Sequence, residues 1–119
     1  DLDPVFLVAP SSTDERIAVI GRTNRGFVYA AAVMGVTGAR AQVGAGAREL
    51  VGRVRAQTSL PVAVGLGVST GAQAAEVAGF ADGVVVGSAL VLALREGGVE
   101  AVRRLAAELA QGVRSSVRA

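Results

Sequence analysis

Pro61-Val62-Ala63-Val64-Gly65-Leu66-Gly67-Val68-Ser69-Thr70-Gly71-Ala72-Gln73 holds a strand, a glycine-bearing turn and a helix start in one short stretch. Pro61 opens an apolar run, Val62 to Leu66, that reads as a strand. Ser69 to Gln73 has the residues of a helix cap. Ala74, Val77 and Ala78 carry a short helix forward until Gly79 ends it. The same order recurs on both sides. Downstream, Gly83-Val84-Val85-Val86-Gly87 is a strand too apolar to face water on either side. Ser88 to Arg95 forms a short helix, Gly97-Gly98 breaks it, and Val99, Val102, Leu105, Ala106, Leu109 and Val113 give a longer amphipathic helix. Upstream, Val5 to Ala9 is an apolar run stopped by Pro10, as expected of a strand buried on both faces. Ser12-Thr13-Asp14-Glu15 has capping-box spacing, with Ser12 as the cap and Glu15 reaching back. A helix is predicted from Asp14 to Thr23, with Ile17 and Ile20 inward and Asn24-Arg25-Gly26 as its end.

Between these lies Phe27 to Ala32, a further strand. It leads into a glycine-bearing loop from Met34-Gly35-Val36-Thr37-Gly38 to about Gly46. That connection exceeds the roughly 2–6 residues usual between strand and helix, and long loops are often functional. Ala47, Leu50, Val51 and Val54 then repeat at helical spacing, with Glu49 and Arg53 positioned as an i,i+4 pair. Four strands alternating with helices, near the ~30-residue length of a βαβ unit, predict an α/β fold with a parallel sheet. Residues 1–119 form one such unit. Two closures fit the pattern: a doubly wound sheet with helices on both faces, or part of a barrel with every helix outside.

Composition narrows the chemistry. The chain has 119 residues and is 51% hydrophobic and 18% charged, enough for one domain with a real core. All 12 basic residues are arginine, scattered among acidic ones with a formal net charge of +2, so no clustered basic stripe marks a nucleic-acid interface. Cysteine and histidine are absent, which removes thiolate chemistry, a disulfide framework and most metal ligands. No apolar run reaches the roughly 20 residues of a membrane span. No signal peptide opens the chain. A soluble cytoplasmic protein is expected. Asp1-Leu2-Asp3-Pro4 leads almost directly into a strand, as a loop inside a longer protein would, so a fragment is expected as well.

Two glycine-bearing strand ends come late: Gly65-Leu66-Gly67-Val68-Ser69, and Gly87-Ser88-Ala89 opening the short helix. A helix start offers unpaired N–H groups, and glycine lets backbone approach an anion. Two adjacent strand ends with an extra short helix match the phosphate site that many (βα)₈ barrels build after their last two strands. Glycines required only for tight turns are the plainer alternative. Acid and base groups are missing from the same end. Asp14 and Glu15 suit a helix first turn, Asp82 precedes its strand and belongs to the opposite face, and the glutamates fall on outer helices. No catalytic residue is assigned. Tyr29, mid-strand and in phase with Phe27 and Ala31, is either a barrel-core aromatic or a substrate contact.

Phe6-Leu7-Val8-Ala9-Pro10-Ser11-Ser12-Thr13-Asp14-Glu15-Arg16-Ile17, Gly26-Phe27-Val28-Tyr29, Gly35-Val36-Thr37-Gly38-Ala39-Arg40, Leu60 to Ser69, and Ala81-Asp82-Gly83-Val84-Val85-Val86-Gly87-Ser88-Ala89 closely resemble the tryptophan synthase alpha chain family, in order and with its spacing. The resemblance implies a TIM-barrel fold, with this chain as a (βα)₄ half barrel corresponding to strands 5–8. It implies a retro-aldol lyase that cleaves indole-3-glycerol phosphate to indole and glyceraldehyde 3-phosphate and passes indole to a pyridoxal-phosphate beta chain, with no cofactor of its own. By the same resemblance Gly38, Gly67, Gly87 and Ser88 hold the substrate phosphate. Tyr29 and Leu66 line the pocket, and Thr37 sits in a loop that closes over it. The family's catalytic Glu and Asp belong to the first barrel half, upstream of Asp1.

Two departures stand out. Leu66 replaces a frequent Phe, and Ala32-Val33 stands where a Ser or Thr and a further polar or Arg residue are usual before the closing loop, as a divergent paralogue would show. The rival readings are a non-catalytic phosphate-binding half barrel, and a phosphate-binding barrel enzyme of another pathway, such as a histidine or indoleglycerol-phosphate synthase relative. The latter would lack Gly35 to Arg40. Four strands with two open edges also predict self-association of the fragment, most simply as a homodimer.

Overall fold

The computed structural model describes residues 1–32, 43–65 and 67–116. Strands β1 (Leu7–Val8), β2 (Val28–Ala31), β3 (Val62–Gly65) and β4 (Gly83–Val85) alternate with helices α1 (Asp14–Thr23), α2 (Val43–Arg55), α3 (Gly71–Ala78) and α4 (Ser88–Ser115). All strand pairs are parallel and the sheet keeps chain order. The register aligns Leu7, Tyr29, Ala63 and Gly83 in one row, and Val8, Ala30, Val64 and Val84 in the next.

Successive side chains of a strand point to opposite faces, so these two rows lie on opposite sides of the sheet. Val8, Ala30 and Val64 are buried with Val28 and Val62, in one cluster with Ile17 of α1, Leu50 and Val54 of α2, Ala74 and Val77 of α3, and Leu109 of α4. Leu7, in the other row, is 56% exposed, and Tyr29 and Ala63 are half-buried. Helices therefore cover one face only, which decides between the two closures: this is a barrel-type layer, not a doubly wound sheet. The expectation that the first and last strands are buried on both faces fails for the same reason. Val5, Phe6 and Leu7 are exposed and β4 is half-buried, because among the described residues no second layer covers the inner face.

Local chemistry sets the element boundaries. α1 begins at Asp14 as expected, but its cap is Thr13, whose Oγ1 accepts the Arg16 amide at 3.1 Å. A helix capped at Thr13 places Arg16, not Glu15, at the position from which a box residue reaches back, so the predicted box is out of frame by one residue. Ser12 instead accepts the Ala9 amide at 2.9 Å and tightens the turn after β1. Asn24, buried at the end of α1, accepts from the Phe6 amide at 2.9 Å and donates to the carbonyls of Phe6 and Phe27 at 3.0 and 3.2 Å. It acts as a polar rung tying the start of β1 to that of β2.

Arg53 does not pair with Glu49. Its guanidinium donates to Asp14 Oδ1 from Nε at 3.0 Å and from Nη2 at 2.9 Å, and also to the carbonyls of Pro10 and Ser12. A planar fork with five donors is better satisfied by a carboxylate plus two carbonyls than by one helix-surface contact. Asp82 behaves as expected of the stabilising end: its Oδ2 accepts the Val62 amide at 2.9 Å and Arg55 Nη2 at 3.0 Å, joining the beginnings of β3 and β4.

α4 kinks at Gly98, where φ is 72° and ψ −165°, so it consists of two arms. This matches the predicted break between a short and a longer helix. The longer arm buries less than its pattern suggests: Leu109 is 7% exposed and Leu105 packs on the core, but Val99 is 70% and Val113 38% exposed. α3 and the second arm cross at glycine. A Cβ on Gly112 would collide with the Gly71 carbonyl, and one on Gly71 would lie 2.8 Å from the Glu108 carbonyl oxygen.

Candidate functional site

The C-terminal ends of β3 and β4 open into a groove of about 710 Å³, bounded by the loop after β3 and by the first arm of α4. Gly67, Ser69 and Ser88 line it, along with the apolar side chains of Val68, Leu92 and Leu105. Gly67 and Ser88 thus line the same groove, and Gly87 immediately precedes Ser88 as the N-cap of α4. Gly38, Thr37 and Leu66 lie outside the described residues. Tyr29 is not on the groove wall. It stands on the inner face over Gly65, where a Cβ would come within 2.5 Å of its hydroxyl, so Gly65 is small in order to seat Tyr29.

The glycines at the groove differ in what they do. Gly67 has φ 78°, a left-handed conformation that side chains rarely adopt, and nothing lies within 4 Å of a Cβ placed on it. Its glycine is explained by backbone shape. Gly87 has φ −128° and ψ −74°, and again nothing lies within 4 Å of a Cβ. Packing within the described residues does not require glycine there.

The two helix starts beside the groove also differ. At α3, Thr70 Oγ1 accepts the Gln73 amide at 3.1 Å. Gln73 Oε1 accepts the Ser69 and Thr70 amides at 2.8 and 3.2 Å, and Glu108 Oε2 accepts the Gly71 amide at 2.8 Å. At α4 no side chain caps the helix, and the Leu90 and Val91 amides turn back to the Gly87 carbonyl. The Ser88 and Ala89 amides precede that turn and belong to the donors a helix start leaves without intrahelical partners. An uncapped start carries about half a positive charge. The groove therefore pairs one neutralised helix start with one available to an anion.

Ser69, Arg95 and Glu96 also line the groove, though their sequence context assigns none of them to the site and Glu96 reads only as a solvated charge on an outer helix. Ser69 lay inside a recognised cap motif, which was the available signal. Arg95 sits two turns into a predicted outer helix, and nothing in its spacing marked it. Among the described residues no helix is long and apolar enough to cross a membrane.

Comparison with known proteins gives a consistent result. The profile of the tryptophan synthase alpha chain family matches residues 1–117. The tryptophan synthase alpha chain of Mycobacterium intracellulare is 61% identical over 113 residues, 95% of this chain and 42% of that protein. The alpha chain of Streptomyces coelicolor is 62% identical over 118 residues, 95% of this chain and 44% of that protein. The chain thus spans less than half the length of these curated relatives. A crystal structure of M. tuberculosis tryptophan synthase, in an open form with BRD0059 bound, superposes with a TM-score of 0.83 at 56% identity, covering 95% of this chain and 41% of that one. The alpha subunit from Campylobacter jejuni superposes with a TM-score of 0.78 at 27% identity, covering 91% of this chain and 44% of that one. With its one-sided parallel sheet and its strand-end groove, this (βα)₄ half of a TIM-type barrel belongs to the tryptophan synthase alpha chain family.

Proposed function

We propose that this chain is the phosphate-binding half of a carbon–carbon lyase that cleaves indole-3-glycerol phosphate to indole and glyceraldehyde 3-phosphate in cytoplasmic tryptophan biosynthesis. The observation that carries the reading is the start of α4: an uncapped helix terminus behind a glycine that packing within the described residues does not require. There the amides of Ser88 and Ala89, the Ser88 hydroxyl and the loop at Gly67 would receive the phosphate, with Gly38 completing the set. Tyr29, with Leu66 and Thr37, would border the indole-glycerol moiety.

The acid/base step would come from elsewhere. Asp14 pairs with Arg53, Asp82 ties two strand starts together, and Glu108 caps α3. Each of these carboxylates already has a structural partner; Glu96 is the single carboxylate lining the groove among the described residues, and one carboxylate is not an acid–base pair. A general acid–base pair typically contributes about 10²–10⁴-fold to rate, so a half barrel without one is expected to bind without turning over. The full-length protein would hand indole to a beta chain that carries the pyridoxal phosphate. Mixing the purified chain with the N-terminal half of a family member should restore indole formation from indole-3-glycerol phosphate. Turnover by the chain alone would refute the assignment, and phosphate binding without complementation would favour a divergent, non-catalytic paralogue.

The uncovered inner face supports a further element of this reading. Among the described residues β1 and β4 each pair on one side only, and Leu7 and Val5 are exposed at the β1 edge. Burial of apolar surface is worth roughly 25 cal/mol per Å², and free strand edges recruit other strands. As a separate 119-residue species the chain would associate with a second copy, and sedimentation should show a dimer or larger assembly at tens of micromolar.

A further inference from the structure

The loop that carries Gly67 into α3 is short, and few contacts fix its path. Val68 is buried, Gly67 takes a left-handed turn at φ 78°, and the remaining two residues, Ser69 and Thr70, are exposed. One atom gathers donors from both. Gln73 Oε1 accepts the Ser69 amide at 2.8 Å, the Thr70 amide at 3.2 Å and the Ser69 hydroxyl at 3.2 Å. A capping box requires only the N-cap amide to be taken up by the side chain three residues later. Here the carboxamide gathers the amide before it and a hydroxyl as well, so it fixes the loop in addition to closing the helix.

We propose that Gln73 is a positioning residue for anion binding in the groove. By drawing the Ser69 and Thr70 donors onto its own oxygen, Gln73 sets the path of the segment from Gly67 to Thr70 and holds the Gly67 wall opposite Ser88. It touches no ligand. The effect is preorganisation: a loop that populates the competent shape only part of the time binds with its affinity reduced by that fraction. This inference rests on the phosphate reading of the groove.

The test is titration of the chain with inorganic phosphate, combined with amide hydrogen exchange. Gln73→Met keeps side-chain length and helix propensity but removes the acceptor. Thr13→Ala removes a cap of the same kind from α1, at the opposite edge of the sheet, and serves as the control for lost stability. Gln73→Met is expected to weaken phosphate binding about tenfold, as for the loss of one or two net hydrogen bonds, and to speed exchange of the Ser69 and Thr70 amides. Thr13→Ala should lower the melting temperature by a similar amount and leave affinity within twofold. Wild-type phosphate affinity in Gln73→Met, with those amides newly exposed, would overturn the proposal while leaving the phosphate site intact. Equal loss of affinity in the two variants would overturn it too, as a stability effect alone. If the unmodified chain takes up no phosphate, the groove reading itself fails and the role of Gln73 falls with it.

Discussion

α3 and α4 both begin at the C-terminal end of a strand, and they border the same groove, yet polar side chains crowd the first start and leave the second bare. Thr70, Gln73 and Glu108 satisfy the amides around Gly71, and Glu108 brings a negative charge to the positive end of α3. At α4 the N-cap is a glycine without a side chain, and Ser88 follows directly. The backbone physics of the two termini is the same, so the difference lies in which side chains the chain supplies. The lesson is that a helix start can take an anion only where it has been left unfinished, and this groove has one finished and one unfinished start.

The sharpest way to break that contrast is to finish α4. Gly87→Asp would set a carboxylate at the uncapped start, in space that nothing within 4 Å now fills. Phosphate binding should fall by at least about a hundredfold, since like charges would compete for the same amides. Stability should move little, and upward if at all: a carboxylate at a helix N-terminus contributes about 0.3–1 kcal/mol. Calorimetric titration and thermal melting of the same sample read both quantities. Retained phosphate affinity would mean that the anion site lies elsewhere on the groove.

The contrast can also be attacked at the crossing that brings Glu108 to α3. Gly112 packs its Cα against the Gly71 carbonyl with no room for a methyl group. Gly112→Ala should force the two helices apart and cost about 2 kcal/mol, within the range for overpacking a tight contact. Denaturant melts give the number, and a loss below about 0.5 kcal/mol would show that the helices separate freely.

Much of this layer was legible from sequence. The span of α1 from Asp14 to Thr23, the inward repeat of Leu50, Val51 and Val54, and the break at Gly98 all follow from periodicity and punctuation that act over a few residues. Periodicity did not choose the closure, because an apolar strand looks the same whether its second face is covered or open. The family resemblance did choose it, and the register, which puts Leu7 and Tyr29 opposite the buried row, agrees. The polar ties were hidden for a different reason. Arg53 reaches Asp14 across 39 residues and Glu108 reaches Gly71 across 37, distances at which local spacing carries no information. Glu49, the near neighbour suggested by helical spacing, was the wrong partner for Arg53. At the groove, Gly67, Gly87 and Ser88 could be picked out as a set and the cap at the start of α3 was legible too, but the tie from Glu108 to Gly71 was not, because Glu108 reads as one more solvated charge.

Removing Glu108 produces the smallest effect and discriminates best between the two helix starts. Its carboxylate accepts the Gly71 amide at 2.8 Å, and Gly71 is buried while Glu108 is largely exposed. Solvent screens the charge, so the hydrogen bond and the favourable placement at the helix end together should be worth about 1 kcal/mol. Glu108→Ala is therefore expected to lower stability by about that much. Its influence on phosphate affinity depends on what the α3 start does once uncovered. The Thr70 and Gln73 box still occupies the neighbouring donors, so a single freed amide at a buried glycine offers an anion little, and affinity should stay within about twofold. A Glu108→Gln variant, which keeps an acceptor oxygen, should recover part of the stability. If Glu108→Ala instead tightens phosphate binding severalfold, or adds a second site to the titration, then α3 is held closed by that one carboxylate. The difference between the two helix starts would then be electrostatic and reversible rather than built into the capping box.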